Sequence, residues 1–414
     1  MSLEARELKQ TGIVGAGTMG TGIALAVAGA GLRTHIVDSS PDALARGRNA
    51  VEAAYRSSVQ RGKLSEDEAD ERRARIAFTD DMSAFAGVDL VVEAAFEDLA
   101  VKRSIFARLG NIVRPSAVLA TNTSSLDIDA VTGGVPHPER ALGMHFFSPA
   151  NVMKLVEIVR GAHTSDDTIH AALDFAERLG KVGVVVGNCD GFVGNRMLLR
   201  YRREAELLLE RGATPAQVDA VLEKFGFAMG PFAVSDLAGL DIAYNSKRER
   251  NARGNGVGFR QSRIPDLLVE SGRLGQKTGS GYYRYEFGRR ERFPDPATDE
   301  LIAAERKRLG LAGERITDAE IVERCTLALI NEGARILEEG IARRSADVDA
   351  VWRYGYGFPA ARGGPMSYAA SLERPALLSR LRLLEQEDPA FWNAGVVERA
   401  LGHYPTSAAG LGGV

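Results

Sequence analysis

Cysteine is scarce, with two in 414 residues, Cys189 and Cys325, set far apart. That excludes a disulfide framework and a Cys-based zinc spacing, and it suits a reducing compartment. No excess of either charge sign exists: 52 basic against 55 acidic residues leave a formal charge of −3. A nucleic-acid or other polyanion partner is not expected on that balance. The start, MSLEARELKQ, is charged and lacks an apolar signal core, and the closing GLGGV carries no lipidation or peroxisomal tripeptide. These points give the expectation of a cytoplasmic protein. The one long uncharged run, residues 10–32, holds seven glycines. A strand, a glycine turn and a helix account for it better than a membrane span. Apolar residues at 45% and charged residues at 26% describe an ordinary globular chain, long enough for two or three domains.

The first 190 residues alternate short apolar runs with helix-length segments. The runs are Thr11–Gly15, Thr34–Asp38, Arg75–Phe78, Val88–Val92, Ala117–Thr121, Ala141–Phe147, Leu155–Val159 and Val182–Val186. They are rich in Val, Ile and Leu, as strands buried on both faces should be. Helices are expected at Met19–Gly31, Pro41–Gly62, Leu99–Val113 and Asp166–Leu179. The alternation predicts an α/β, doubly wound parallel sheet whose last runs turn antiparallel. After Gly187 the pattern becomes helical, interrupted by a basic, glycine-rich stretch, Lys247–Arg260, that reads as a mobile loop. A second helical block runs from about Pro296 to Gly402. The two blocks share features. Val218-Asp-Ala-Val221 recurs as Val348-Asp-Ala-Val351, Glu204-Ala205 has a counterpart in Glu332-Gly333-Ala334, and Gly230-Pro231 in Gly364-Pro365. This predicts a duplicated helical domain, with domains at 1–188, 189–294 and 295–414.

Gly15-Ala-Gly17-Thr18-Met19-Gly20 follows the first strand and opens a helix. Gly15 permits the tight turn, Gly17 lets backbone amides approach a pyrophosphate, and Gly20 lets helix and strand pack closely. Asp38 ends the next strand, 18 residues after Gly20, where a carboxylate accepts both ribose hydroxyls and repels a 2′-phosphate. NAD is therefore the expected cofactor. His145 and Glu157 lie in two strand-like runs, symmetric about Asn151 in the turn-like Ser148–Asn151. Returning strands would place them opposite each other, about 5 Å apart at Cβ. Such a pair fixes the imidazole tautomer and provides a base for an alcohol proton as hydride leaves its carbon. Asn122 and Ser124 follow a strand end and are candidates for contacts to nicotinamide and substrate, with helix capping the plainer alternative, above all for Ser125. Asn195, in Gly191-Phe-Val-Gly-Asn195, offers an amide for a carbonyl or oxyanion, again with capping as the alternative. Glu97 and Lys102 leave another strand end, where a surface ion pair is the simpler reading.

The strings GAGTMG, VVEAAFEDLAVK, TNTSSL, GMHFFSPANVMKLVEIV, DGFVGNR and GQKTGSGYYRY occur in this order. Over about residues 10–290 the chain thereby resembles the (S)-3-hydroxyacyl-CoA dehydrogenases of fatty-acid β-oxidation. The second helical block, with NEGARILEEG and GYGFPAARGGPMSYA, resembles the C-terminal repeat of the larger bifunctional β-oxidation enzymes. Their hydratase/isomerase domain is not expected here, since only ten residues precede the first strand. The resemblance implies His145 as catalytic base with Glu157 as its partner, and Ser124 and Asn195 on the substrate oxygen. It implies Asp38 on the adenosine ribose, with Glu97, Lys102 and Lys277 near the cofactor. It also implies an acyl-CoA substrate, whose phosphates could meet Arg46, Arg48, Arg56, Arg61 or Lys63. No metal is expected. Two other readings are a dehydrogenase of a small hydroxy acid without CoA and a non-catalytic NAD-binding protein. Because the chain carries its own second helical copy, a pseudo-dimeric monomer is expected.

Overall fold

The computed structural model describes residues 8–402 except 253, 255, 287, 288 and 290. All eight apolar runs are strands: β1 (Gln10–Val14), β2 (Arg33–Val37), β3 (Ile76–Thr79), β4 (Leu90–Glu93), β5 (Val118–Thr121), β6 (Ala141–Phe146), β7 (Leu155–Arg160) and β8 (Val182–Gly187). They form one sheet in the order β3-β2-β1-β4-β5-β6-β7-β8. Every pair is parallel except β6–β7, the expected antiparallel return. Successive residues feed two cores. Ile13, Leu90, Val92, Val118 and Ala120 join one cluster, while Val14, Val91, Leu119 and Phe85 join another. Burial on both faces is why these runs are continuously apolar rather than alternating. The four expected helices are Thr18–Gly29, Pro41–Gln60, Leu99–Ile112 and Asp166–Arg178.

One helix escaped the sequence reading. Glu66–Ala74 (EDEADERRA) buries only Ala69, so no apolar periodicity marks it. Its signal is the reciprocal capping box between Ser65 and Glu68. The stretch Lys247–Arg260 also needs correction. Its first six residues finish the helix Leu240–Ala252, so a loop begins only afterwards, and 253 and 255 lie outside the described residues.

The compact units differ from the three expected domains. One comprises residues 1–195 with 340–355, and the other 196–339 with 356–414. The expected boundary at 294/295 thus falls inside the second unit, and 340–355 packs with the first. The cause is the edge of the sheet: Gly187 N donates to Ile341 O at 2.7 Å. A Cβ on Gly355 would meet Leu155 Cδ2 at 2.6 Å. An otherwise open strand edge is covered this way. Residues 403–414 of the expected third domain lie outside the described residues.

The second unit is mostly helical: Pro215–Phe225, Pro231–Ala238, Leu240–Ala252, Ile264–Glu270, Pro296–Arg308, Asp318–Glu338, Pro365–Ser371, Arg374–Glu387 and Ala394–Gly402, joined to the helix Gly194–Arg211. The repeated Val-Asp-Ala-Val has a physical reason. Asp219 is fully buried and accepts from Phe232 N (3.0 Å), Ala233 N (2.9 Å) and Tyr283 OH (2.8 Å). It caps the helix that Gly230-Pro231 opens, and Gly230 is glycine because its Cβ would lie 2.3 Å from the Asp219 carboxyl. Burial pushes Asp219 up to about 6 even so.

Candidate active site

The first unit brings the principal expected residues to the C-terminal ends of the parallel strands, where a doubly wound sheet binds its ligands. At the glycine loop, Gly15 takes φ +105° against Ala94 O, and a Cβ on Gly20 would fall 1.9 Å from Gly15 O. Both positions exclude a side chain. Gly17 differs: a Cβ there would meet nothing within 4 Å, so the loop is open on that face. Helical bonding starts with Thr21 N to Gly17 O at 3.0 Å. The amides of Thr18, Met19 and Gly20 precede it and have no carbonyl one turn back, the arrangement that suits a phosphate. Asp38 accepts from Ala16 N and Ser40 N, both at 2.9 Å. These bonds hold the carboxylate at the loop and leave further lone pairs for ribose hydroxyls. The cradle fits a dinucleotide.

His145 and Glu157 are register partners across β6–β7, with Nδ1···Oε2 at 2.8 Å. Glu157 is fully buried, and its other oxygen accepts from Val193 N (3.1 Å) and Gly194 N (2.9 Å) at the start of the helix Gly194–Arg211. Three donors on one carboxylate fix its position. It therefore holds a proton on Nδ1, and Nε2 is left as the basic nitrogen. The ring is packed by Phe147 (4.5 Å) and Phe192 (5.8 Å). Phe192 takes φ +49°, directly after Gly191 at +75°. A non-glycine residue in that region is strained, and here the turn aims the next two amides at Glu157.

Ser124 N and Oγ donate to Glu97 Oε1 at 2.9 and 3.4 Å, and Thr123 Oγ1 does so at 2.5 Å. Asn195 Nδ2 donates to Ser124 O at 3.4 Å, which ties the two expected substrate contacts together. Asn122 Oδ1 accepts from Phe146 N at 2.9 Å, so its amide nitrogen is the end left for a ligand. Ser125 is not a helix cap: Asp127 caps Ile128–Thr132. The surface reading of the Glu97–Lys102 pair is overturned. Lys102 is fully buried, 3.3 Å from Glu97 and 2.9 Å from Glu93, which Thr121 Oγ1 and Ala95 N also engage. Glu93 was missed because it sits in an apolar run, where only a tertiary partner reveals it.

Lys181 was also missed. Its Nζ donates to Ala150 O (2.6 Å) and Met153 O (2.7 Å), holding the turn between β6 and β7, and burial pulls its amine down to about 8. Lys277 belongs to the second unit, half-exposed and 2.5 Å from Asp241. Among the CoA candidates, Arg48 bonds Phe78 O and Arg61 bonds Ser57 O. Arg46, Arg56 and Lys63 are exposed. Among the described residues no group of three His, Cys, Asp or Glu could hold a metal, and no helix is long and apolar enough to cross a membrane.

Fold and site together define an NAD-dependent dehydrogenase with a histidine–glutamate pair. Residues 10–189 match the NAD-binding domain of 3-hydroxyacyl-CoA dehydrogenase, and 191–285 with 321–372 match its C-terminal domain. The chain belongs to the 3-hydroxyacyl-CoA dehydrogenase family. It is 43% identical to the peroxisomal bifunctional enzyme of Danio rerio over 387 residues, 91% of this chain and 53% of that one. It thus spans about half the length of the curated relatives it matches. Among solved structures it resembles 3-hydroxybutyryl-CoA dehydrogenase from Escherichia coli K12, with 29% identity, TM-score 0.83, and 95% and 98% of the two chains covered. The dehydrogenase part of multifunctional enzyme 1 from C. elegans is 30% identical at TM-score 0.71, covering 96% and 90%. The curated relatives are named peroxisomal or glyoxysomal, which does not accord with the cytoplasmic expectation.

Proposed function

We propose that this chain oxidises (S)-3-hydroxyacyl-CoA to 3-oxoacyl-CoA with NAD, as a step of fatty-acid β-oxidation. The observation that carries the reading is the His145–Glu157 bond of 2.8 Å, with Glu157 held by two helix-start amides. Bound NAD supplies the hydride acceptor. His145 Nε2 takes the hydroxyl proton as hydride leaves C3 of the substrate. Glu157 retains the Nδ1 proton and balances the imidazolium charge that forms. Ser124 and Asn195 hold the reacting oxygen. Asn122 and Glu97 serve the cofactor side, with Lys102 buried behind Glu97. Gly15, Gly17, Thr18, Met19 and Gly20 serve it around the pyrophosphate, and Asp38 on the ribose. Arg46, Arg56 and Lys63 are the cations best free to meet CoA phosphates, since Arg48 and Arg61 already bond backbone carbonyls.

The two helical copies act as an internal pair in a monomer. Within the second unit the buried Arg324 joins Glu204 at 2.9 Å, and Phe225 packs on Phe358 and Tyr368. The cytoplasmic placement is supported by the scarcity of cysteine, two in 414 residues.

The deciding experiment is an NADH-linked assay over 3-oxoacyl-CoA thioesters of increasing length, with free 3-hydroxybutyrate in the reverse direction. Turnover of the thioesters alone supports the reading. Comparable turnover of the free acid would favour a small hydroxy-acid dehydrogenase, and NAD binding without turnover a non-catalytic protein.

A further inference from the structure

In the turn that follows β5, a count of donors against lone pairs leaves one hydroxyl over. Thr123 is fully buried there. Its Oγ1 accepts from Leu126 N at 2.9 Å and from Ser125 N at 3.3 Å. A hydroxyl has two lone pairs and one proton. Both lone pairs are occupied by these amides, so the proton is directed to Glu97 Oε1, at 2.5 Å. The turn is anchored as well, because Leu126 belongs to the same core cluster as Val14 and Leu119.

Glu97 Oε1 faces three donors: Thr123 Oγ1 at 2.5 Å, Ser124 N at 2.9 Å and Ser124 Oγ at 3.4 Å. One carboxylate oxygen offers two in-plane lone pairs, and the two short bonds occupy them. The third contact lies beyond the range of about 2.5–3.0 Å for an O–H···O bond. Oε2 does not relieve the crowding. It is turned to Lys102 Nζ at 3.3 Å, and that amine is held by Glu93 at 2.9 and 3.0 Å. Ser124 is half-buried, and its hydroxyl has no other hydrogen bond among the described residues. Its carbonyl takes Asn195 Nδ2 at 3.4 Å. The Ser124 backbone is thus tied at N and O while its hydroxyl proton stays weakly engaged.

We infer that Thr123 is a positioning residue for Ser124: by filling the Glu97 oxygen it leaves the Ser124 hydroxyl to donate to the substrate oxygen. The inference rests on the dehydrogenase reading above, in which Ser124 holds that oxygen. Without the Thr123 hydroxyl, a lone pair on Oε1 opens 3.4 Å from Ser124 Oγ. A carboxylate is a stronger acceptor than a carbonyl or an alcohol, so it would capture the serine proton. Ser124 would then be present but turned away from the chemistry.

The test uses the full chain with NADH and a 3-oxoacyl-CoA thioester. Thr123→Val should lower kcat by about tenfold, with NADH affinity changed by less than about twofold. Thr123→Ser keeps the hydroxyl and should return kcat to within about twofold of the parent. The valine variant also leaves the amides of Ser125 and Leu126 unpaired, a purely structural cost that a double-mutant cycle separates. With Ser124→Ala as background no hydroxyl remains to be captured, so Thr123→Val should cost less than about twofold more. An equal tenfold loss in both backgrounds, or parental kcat in Thr123→Val or in Ser124→Ala, would overturn the inference. Thr123→Ala opens the same lone pair and replaces the valine variant where that one does not fold. A crystal structure of the variant gives a readout that needs no turnover. Ser124 Oγ should close on Glu97 Oε1 to about 2.7 Å, and a distance unchanged from 3.4 Å overturns the inference. A parent chain that reduces no thioester would remove the dehydrogenase reading, while that distance still decides whether Thr123 governs Ser124.

Discussion

Lys102 and Glu93 form a fully buried ion pair, Nζ to Oε1 at 2.9 Å and to Oε2 at 3.0 Å, behind the strand end that carries Glu97. Removing one partner strands a charge in the interior, which costs about 3–5 kcal/mol. Lys102→Met should therefore lower stability by about 3 kcal/mol or more in urea unfolding. Adding Glu93→Leu should return part of that loss. A single variant as stable as the parent would show that the pair does not hold this edge of the site.

His145→Gln should lower kcat by about 10²-fold or more, the scale of a lost general base. NAD affinity should stay nearly unchanged, because Asp38 and the glycine loop are left intact. Glu157→Gln keeps the shape but disturbs the tautomer of His145, so it should also lower kcat with little effect on KM. Steady-state kinetics and NADH titration check both, and near-parental kcat in His145→Gln would remove the assignment.

Asp38→Ser should cut NADH affinity by about tenfold, the effect of losing a charged acceptor. It should also raise the NADPH-to-NADH preference, since a 2′-phosphate no longer meets a carboxylate. Because Asp38 also accepts from Ala16 N and Ser40 N, some loss with both cofactors is expected. The ratio of kcat/KM values, not either value alone, is the readout.

Lys181 gives a pH signature. Its amine is pulled down to about 8 by burial, against an unfolded value near 10.4. Between these values the unfolded chain binds more protons, so this group's contribution to stability rises with pH across that window. The penalty is fully present below about pH 8 and relieved above about 10.4. Lys181→Met should flatten that slope by up to about 3 kcal/mol, seen as a smaller gain between pH 8 and 10 in urea unfolding than the parent shows. It should also lower kcat, since the turn joining His145 to Glu157 loses both tethers.

The monomer expected from the internal pairing is checked by light scattering. One mass should hold from nanomolar to micromolar concentration, since Phe225, Phe227, Phe358 and Tyr368 already pack on one another inside the chain. A mass that doubles across that range would mean the copies leave an apolar face for a second subunit.

The sequence exposed what periodicity and spacing encode. Eight apolar runs became eight strands, and symmetry about Asn151 placed His145 opposite Glu157 because strand register is a matter of counting. Features fixed by three-dimensional neighbours stayed hidden. Glu93 and Lys102 are nine residues apart, and nothing local distinguishes a buried lysine from a surface one. The Glu66–Ala74 helix lacks an apolar face, so only its cap could have given it away. The Asp219–Gly230 spacing was legible because the buried carboxylate caps the helix that Gly230 opens, and no side chain fits between them. The packing of 340–355 with the sheet was not, because it answers to a strand edge about 150 residues upstream.

That hydrogen bond from Gly187 to Ile341 also sets a timetable. At about 5–20 residues per second, roughly ten to thirty seconds of synthesis separate the two residues on the ribosome. Throughout that interval β8 is made but uncovered, a ready template for pairing with another nascent chain. Its sequence, VGVVVG, carries no charge to discourage such pairing. Yield of native protein should therefore depend on how quickly the C-terminal third follows, and slow codons between these two points should cost more than the same codons earlier in the message.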